Sequence, residues 1–358
     1  MAIIFMDSFD HSNTGTLSSK WVAVGSDSSI SANGRFGTNS LRTVNFTSST
    51  MSIFMLKASY STTYIGFAFR TSALRSAGIL IFRNDASNLV TLSLTSVGRL
   101  AVVRGDYNSG ALLGTSIDNL LINVYYYIEV KIVSHSTAGS VVVRVNGVEW
   151  LNLTDQNTTS TSVNSIGWFY NPSGFQAFTV DIDDIYVLDT SGTNNNFLGD
   201  TRVQYLAPSG AGIRTNFTPL SSTNWSNVDD ATPNDNDYNS SSVVGATDLF
   251  AMPDIGNGLV HGVQTVLRYK KDDAGFRTVQ PVLYRADVDD GGLPPPSTTP
   301  RWYRGTKVPV YDTFAGSTQV LDTSPLSGLS WTKDEINALQ FGYAVGDAAM
   351  FTIDAKLV

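Results

Sequence analysis

Carboxylates are the side chains of this chain most suited to chemistry. Only three of the 31 acidic residues are glutamates: Glu129, Glu149 and Glu335. Glycoside hydrolysis needs two carboxyl groups across one scissile bond, about 5 Å apart in retaining enzymes. Asp181 and Asp183 share one face of an alternating run, but the Glu-x-Asp-x-x-Glu pattern of β-sandwich glucanases is absent. We therefore predict that the chain is not an enzyme, and that Asp183 and Asp184 accept backbone hydrogen bonds at a β-bulge.

Metal and cofactor chemistry has little support in the spacing of the remaining polar residues. The histidines, His11, His135 and His261, are far apart and match no zinc motif. Asp235, Asp237 and Asn239 alternate like positions one, three and five of a calcium loop, but the glycine and glutamate that complete an EF-hand are missing. The alternatives for these three residues are a simpler calcium site and a solvated acidic turn. We expect no cofactor.

Two groups of aromatic residues are candidates for stacking on a sugar ring or for contacting a partner. The first is Trp168, Tyr170 and Phe175, around an Asn-Pro-Ser-Gly turn. The second is Trp302 and Tyr303, beside the proline-rich stretch 289–300, which we expect to be an exposed contact arm. Strand alternation indicates that about half of these rings face a core. Glycan contact and core or interface packing are therefore both open.

The composition indicates an all-β protein and restricts its partners. Asp is favoured in turns and Glu in helices, so the choice of acid agrees with the many Gly, Ser, Thr, Val and Ile residues. A net charge of -8 without a basic run argues against nucleic acid and anionic membranes. The chain has no cysteine, no secretory n-region and no apolar run of membrane-spanning length. We expect a soluble product made in the cytoplasm.

The stretch 178–205 divides the chain. An alternating run slips in phase at the adjacent Asp183 and Asp184, seven turn-forming residues follow, and Val203 and Tyr205 begin a second alternating run. We predict a jelly-roll β-sandwich over 1–190, a linker over 191–199 and a second β-sandwich over 200–358.

Several local patterns predict particular elements of these two domains. In the first domain, Asn146-Gly147 indicates a tight hairpin turn. In the second, residues 259–270 and 276–285 predict another hairpin. A capping box beginning at Thr332 predicts one short helix over 333–339.

The strand sequences also resemble known families. IEVKI, VRVNGVEW, GWFY and DIDDIYVLD, in this order, resemble the concanavalin A-like, laminin-G-like jelly rolls. NNNFLGDTRV, NWSNVDD, DYNSSSVVGATDLF and LSWTKDEINALQFGY resemble modules of tailed-bacteriophage structural proteins.

The second resemblance implies a virion component of tail or fibre type, with other virion proteins as partners and host-surface glycan as a further ligand. A symmetric homo-oligomer is expected, with a trimer as the default. The alternatives are a capsid decoration or head spike protein and a lectin-like adsorption protein.

Overall fold

The computed structural model describes residues 3–17, 20–44, 52–170, 178–285 and 301–347. The chain divides into two compact units, Met1–Tyr205 and Leu206–Val358, so the boundary lies beyond the predicted linker 191–199. Both units consist of antiparallel strands, and the one α-helix of the described ranges lies near their C-terminal end. The predicted all-β class with one short helix near the C-terminus is confirmed.

The first unit has fourteen strands in its described residues. In chain order they are β1 (Ile3–Asp7), β2 (Ser28–Ser31), β3 (Ser40–Val44), β4 (Ser52–Tyr60), β5 (Thr62–Thr71), β6 (Ala77–Asn84), β7 (Ser87–Leu94), β8 (Arg99–Arg104), β9 (Ala111–Asn119), β10 (Tyr126–Val133), β11 (Gly139–Val145), β12 (Val148–Gln156), β13 (Val163–Tyr170) and β14 (Thr179–Leu188). One sheet has the order β12-β11-β10-β5-β14-β3-β2, with β1 also paired to β14. The other has the order β4-β13-β6-β7-β8-β9.

A single apolar core lies between these two sheets. Phe67 and Phe69 on β5 enter it from the larger sheet, and Leu80, Phe82 and Trp168 enter it from the smaller one. All five side chains are fully buried. The alternation of apolar and polar residues sets which face of each strand joins the core, because successive side chains point to opposite faces. The first unit is the β-sandwich that the sequence predicts.

The Asn146-Gly147 turn joins β11 to β12 as predicted. Both residues have positive φ, 50° and 79°, which this kind of two-residue hairpin requires and which Asn and Gly adopt readily. The turn places β12 at the edge of the larger sheet and leaves the neighbouring β10 next to β5.

The second unit has ten strands in its described residues. They are β15 (Gly210–Thr215), β16 (Thr218–Pro219), β17 (Asn239–Ser240), β18 (Thr247–Ala251), β19 (Val263–Tyr269), β20 (Thr278–Arg285), β21 (Trp302–Arg304), β22 (Val308–Pro309), β23 (Ala315–Leu321) and β24 (Leu339–Val345). The main sheet has the order β15-β18-β24-β20-β21, with β22 also paired to β20, while β16-β17 and β19-β23 are separate pairs. A core around Leu283, Leu321 and Trp331 joins the main sheet to β23 and to the chain that follows it.

The predicted hairpin of residues 259–270 with 276–285 is wrong. The first of these stretches contains β19, which pairs along its whole length with β23, from Val263–Leu321 to Tyr269–Ala315. The second contains β20, which pairs with β24 and β21. The intervening turn therefore carries the chain into a different sheet instead of folding it back on itself.

The helix α1 covers Lys333–Asn337, two residues short of the predicted end. The hydroxyl oxygen of Thr332 accepts a hydrogen bond from the backbone N–H of Glu335 at 3.1 Å, which is the N-terminal half of a capping box. The Glu335 carboxylate instead accepts a hydrogen bond from the Ser324 hydroxyl. The side chain that was expected to complete the cap therefore ties the helix to the preceding loop.

Three further expectations concern segments outside these strands. Residues 201–206, which were predicted to open the second domain as a strand, lie within no strand of the structure. The proline-rich stretch 289–300, which was expected to be an exposed contact arm, lies outside the described residues. The described residues contain no helix with the length and apolar character that crossing a membrane takes.

Candidate functional site

The outer face of the larger sheet in the first unit carries a set of buried polar side chains. On β14, Val180 and Ile182 point into the core, so Asp181 and Asp183 lie on the opposite face. The neighbouring strands β5 and β10 add aromatic and acidic residues to the same face. We define the polar cluster as Tyr127, Glu129, Asp183, Asp184 and Tyr186, all of which are almost inaccessible to solvent.

Asp181 lies beside this cluster and is fixed by two arginines. Its carboxylate accepts hydrogen bonds from Arg42 Nε at 2.7 Å and Nη2 at 2.9 Å, and from Arg70 Nη2 at 2.9 Å. Arg70 Nε and the Ser40 hydroxyl add two further contacts, both at 3.2 Å. A carboxylate held on both oxygens by charged donors is a poor nucleophile, and its geometry is that of a structural ion pair joining β3, β5 and β14.

Asp183 and Asp184 form the predicted β-bulge. The register of β14 against β5 shifts between Asp183 and Tyr186, and Asp184 has a φ of 49°. The Asp183 carboxylate accepts the backbone N–H groups of Asp184 at 2.7 Å and Arg35 at 2.8 Å. Asp184 accepts the N–H of Val203 at 2.8 Å. The prediction that these two carboxylates bind backbone N–H groups at a bulge is confirmed.

Burial dominates the protonation of both bulge carboxyls. Burial, together with the charge of the adjacent Asp184, raises the pKa of Asp183 to about 8. Burial also raises the pKa of Asp184 to about 6, although the hydrogen bond from Val203 and the charge of Arg35 oppose this shift. Asp183 can therefore hold a proton at neutral pH, which is the property of a general acid, whereas Asp184 is mostly ionised there.

A segment that we call the strap, residues 197–203, covers these groups. The backbone N–H of Gly199 donates to Glu129 Oε1 at 2.8 Å, and that of Leu198 donates to the Tyr186 hydroxyl at 3.2 Å. Thr201 Oγ1 lies 2.5 Å from the Tyr127 hydroxyl. The polar cluster therefore binds a stretch of its own chain.

Two charged or aromatic contacts hold the ends of the strap. Arg35 Nη2 lies 2.5 Å from a carboxylate oxygen of Asp200. The ring of Phe197 packs edge-on against Tyr64, and the guanidinium of Arg144 lies 4.3 Å from its centroid. Because the strap covers the two acidic bulge residues, a substrate has no route to them in this arrangement. The chemistry that the geometry supports is recognition of backbone N–H groups by carboxylates.

Sequence reasoning found the bulge but missed its partners. The sequence analysis assigned no role at the bulge to Glu129, Tyr127, Tyr186 or Arg35. One signal was present, because Glu129 is the single acidic residue of a strand whose other residues are mostly apolar or aromatic. An acid in such a strand is rarely buried without a partner.

The structure separates the aromatic candidates. Trp168 is 0% exposed and packs edge-to-face on Phe67 with their ring centroids 4.7 Å apart, so a surface sugar cannot reach it. Tyr170 ends β13 opposite Gly78, and only its backbone is described. Phe175 lies outside the described residues.

The second aromatic pair lies on β21 in the other unit. Trp302 is 36% exposed and contacts Tyr284 at 4.6 Å between ring centroids. Tyr303 points to the opposite face, where it packs on the core of the unit and its hydroxyl accepts a hydrogen bond from Gln319 at 2.6 Å. Of the five aromatic candidates, Trp302 is the ring that the described side chains leave accessible.

The candidate calcium residues do not converge. Asp235 forms a two-point ion pair with Arg268, with both N–O distances 2.6 Å, and this pair lowers the pKa of Asp235. Asn239 instead donates through its side-chain amide to Asn224 O and to the Tyr343 hydroxyl, both at 2.8 Å. Within the described ranges no three His, Asp or Glu side chains are grouped so that they could hold a metal ion.

The histidines have separate environments. Burial lowers the pKa of His11 to about 4, and its ring lies 5.8 Å from that of Tyr205. His135 Nδ1 accepts the backbone N–H groups of Thr137 and Ala138, which folds the β10–β11 loop. Burial also lowers the pKa of His261.

Comparison with known proteins finds solved structures that are similar at low sequence identity and at TM-scores below 0.5. No protein-family model and no curated protein matches the chain. It is similar to a solved structure titled sialidase, at 13% identity and a TM-score of 0.39, over 53% of this chain and 18% of that one. It is similar to a Bacillus subtilis protein of unknown function with a galectin-like fold, at 13% identity and a TM-score of 0.37, over 53% of this chain and 96% of that one. It is also similar to the alginate lyase AlgAT5 of Polysaccharide Lyase family 7, at 12% identity and a TM-score of 0.35, over 45% of this chain and 82% of that one.

These comparisons correct one prediction. The sequence-based statement that the chain is not an enzyme is contradicted, because sialidases and alginate lyases are among the similar structures. The chain spans less than a fifth of the sialidase, and at these identities and TM-scores the likeness concerns the β-sandwich alone.

Proposed function

We propose that this chain is a structural component of a tailed-phage particle, of tail or fibre type. In this proposal it assembles with other virion proteins as a homo-oligomer and contacts the host surface. The proposal starts from the junction of the two resemblances: the closing strand DIDDIYVLD of the laminin-G-like pattern, and the segment NNNFLGDTRV, which resembles modules of phage structural proteins.

The observation that carries the proposal is that these two stretches bind each other. The Asp184 carboxylate and the Tyr186 hydroxyl of the first stretch accept the backbone N–H groups of Val203 and Leu198 in the second. Residues of the two stretches that carry the resemblance therefore contact each other directly. A module that needs this contact has to keep both stretches together, which supports reading them as one structural feature.

Immunogold electron microscopy of purified particles tests the proposal. We expect an antibody raised against this chain to label the tail or fibre end, and the same antibody absorbed with the purified chain to give no label. Label over the head would replace the proposal with a capsid decoration or head spike protein. Absence of label from every part of the particle would overturn a virion role.

Sedimentation analysis of the purified chain tests the homo-oligomer. Closed symmetric assemblies are the usual form of such components, so we expect a species of three copies at micromolar concentration. A single monomeric species across that range would contradict this part of the proposal.

A further inference from the structure

One face of the main sheet in the second unit combines an exposed indole with two arginines. Residues directly opposite each other on antiparallel strands point to the same face. Tyr284 on β20 lies opposite Trp302 on β21 and Gln340 on β24, and Val282 lies opposite Arg304. We define the arginine face as Arg214, Thr247, Trp302, Arg304 and Gln340.

The two arginines reach across this face from opposite edges of the sheet. Arg214 belongs to the edge strand β15, and its guanidinium carbon lies 6.0 Å from the ring centroid of Trp302 on the other edge strand, β21. Arg304 starts on β21, and its Nη2 lies 3.5 Å from Thr247 Oγ1 on β18. The sheet is curved enough for side chains from one edge to meet those from the other.

Both arginines lack a carboxylate partner in the described part of the chain. Elsewhere in this protein of net charge -8, Arg42, Arg70 and Arg268 each form an ion pair with an aspartate. An unpaired guanidinium on an acidic protein is the natural partner of an external carboxylate, because its fork of N–H groups matches the two carboxylate oxygens.

The other groups of the face are also donors. Gln340 Oε1 accepts the backbone N–H of Ile213 at 2.8 Å, so the NH2 end of the same amide is directed away from that contact. The indole N–H of Trp302 has no acceptor among the described residues, and the ring is partly open to solvent. The face therefore offers a flat apolar ring surrounded by hydrogen-bond donors, and none of its five residues is acidic.

We propose that the arginine face binds a carboxylated polysaccharide. The apolar face of a sugar ring lies on the Trp302 indole, Arg214 and Arg304 bind its carboxylates, and the Gln340 amide donates to a hydroxyl or ring oxygen. The inference deepens the host-surface contact of the proposed function by naming the ligand class. It rests on that function for its biological setting alone, because the binding itself needs only this chain.

Isothermal titration calorimetry with the purified full chain tests the proposal. The carboxylated probes are hexagalacturonate and 3′-sialyllactose, which separate uronic from sialic acids as the source of the carboxylate. Cellohexaose is the neutral probe, and hexaglutamate is the acidic peptide. We expect saturable binding of at least one carboxylated saccharide and none of cellohexaose at the same concentration.

Two variants remove the proposed contacts. The first variant is the double substitution Arg214→Gln with Arg304→Gln, and the second is Trp302→Ala. Each should weaken binding by about tenfold or more, because hydrogen bonds to charged groups and ring stacking each have an effect of that order. The matched controls are Arg75→Gln with Arg99→Gln, which remove the same charge from exposed positions of the first unit, and Tyr311→Ala, which removes another exposed ring. The controls should bind like the unmodified chain. Trp302→Phe keeps a ring and should lose less than Trp302→Ala, which separates stacking from a general effect on folding.

Three results would overturn the proposal. They are absence of binding by both carboxylated saccharides, binding that the two face variants leave unchanged, and equal binding of hexaglutamate, which would assign the face to an acidic peptide. Immunogold labelling of particles tests the proposed function independently of saccharide binding. A labelled particle without saccharide binding therefore rejects this inference alone, and saccharide binding without label rejects the virion role alone.

Discussion

Opposing effects set the charge of the Asp183 and Asp184 carboxyl groups. Burial disfavours their charge, whereas the backbone N–H groups of Arg35, Val203 and Asp184 itself favour it. The net pKa of each is raised above the ordinary value of 3.8. A group whose pKa is higher in the folded than in the unfolded state stabilises the fold at low pH, and this stability is lost as pH rises through the folded-state pKa.

Charging the bulge should therefore destabilise the first unit between pH 5 and pH 8, a range that covers the folded-state pKa values of about 6 and about 8. Asp184→Asn keeps an acceptor for the Val203 N–H, and it removes both its own charge and the repulsion that raises the pKa of Asp183. We expect the loss of unfolding free energy between pH 5 and pH 8 to shrink by about 1–2 kcal/mol. Urea denaturation of the full chain at several pH values measures it, with the exposed Asp118→Asn as the control. A variant with the unmodified pH dependence would contradict the pKa assignment.

Truncation to alanine should reduce stability much more at Trp168 than at Trp302. Trp168 is fully buried between the sheets, so Trp168→Ala should destabilise the chain by about 3–5 kcal/mol through the cavity it leaves. Trp302 is partly exposed, and Trp302→Ala should reduce stability much less while it removes the proposed saccharide contact. Chemical denaturation of the two variants checks this. Similar losses from both would show that Trp302 is also a core residue.

At the residue scale the sequence predicted what depends on neighbours along the chain. The Asp183-Asp184 bulge was visible as a slip in alternation within one strand. Its partners Glu129 and Arg35 were not, because strand pairing brings them together from distant positions and a single sequence does not state the register of that pairing. Trp302 was identified as a candidate, and alternation places Arg304 on its face of β21. The other arginine, Arg214, comes from β15 at the far edge of the sheet, and alternation does not predict that it reaches Trp302.

At the scale of the elements, the packing of β14 side chains on β5 depends on one glycine, Gly66. A Cβ on Gly66 would lie 2.2 Å from the Tyr186 ring, so the tyrosine ring packs directly on the glycine backbone. This position lets the Tyr186 hydroxyl donate to Glu129 and accept the N–H of Leu198 in the strap. The lack of a side chain at residue 66 therefore sets the height at which the strap lies on the sheet.

Gly66→Ala should accordingly release the strap. The added methyl displaces a ring that is packed on both sides, and we expect a loss of about 1–3 kcal/mol in unfolding free energy. We also expect faster amide hydrogen exchange at residues 198–203 than in the unmodified chain. Gly256→Ala is the matched control, because a Cβ there meets nothing within 4 Å. Unchanged exchange in the strap of Gly66→Ala would contradict the role given to this contact.

The elements themselves were predictable to the extent that local signals define them. The Asn146-Gly147 turn and the Thr332 cap use side chains that favour one local conformation, and both were confirmed. The incorrect hairpin joined β19 and β20 because they are neighbours in sequence. Their true partners, β23 and β24, are more distant, and nothing in the alternation distinguishes one partner from another.

At the scale of the whole molecule, the strap decides where the first unit ends. The last strand of the sandwich, β14, stops at Leu188, yet the compact unit continues to Tyr205. The strap residues supply N–H donors to Glu129 and Asp184, and an oxygen 2.5 Å from the Tyr127 hydroxyl. Without them three buried polar groups on the outer face of the sheet lose partners, at about 1–3 kcal/mol each.

We therefore expect residues 1–205 to fold as an independent unit and residues 1–189 to be much less stable, although both contain every strand of the sandwich. The shorter chain exposes Tyr127 and Tyr186 to water and leaves Glu129 without the Gly199 N–H. Since a small domain is stable by only about 5–15 kcal/mol, losing several such contacts removes a large share of its stability. Thermal denaturation of both chains measures the difference. Residues 1–205 with Gly199→Pro lose the N–H that Glu129 accepts and cannot keep the φ of 82° found at Gly199, so they should also be less stable than the unmodified residues 1–205. Equal stability of residues 1–205 and residues 1–189 would mean that the strap does not stabilise the sheet, and the folded unit would then end at β14.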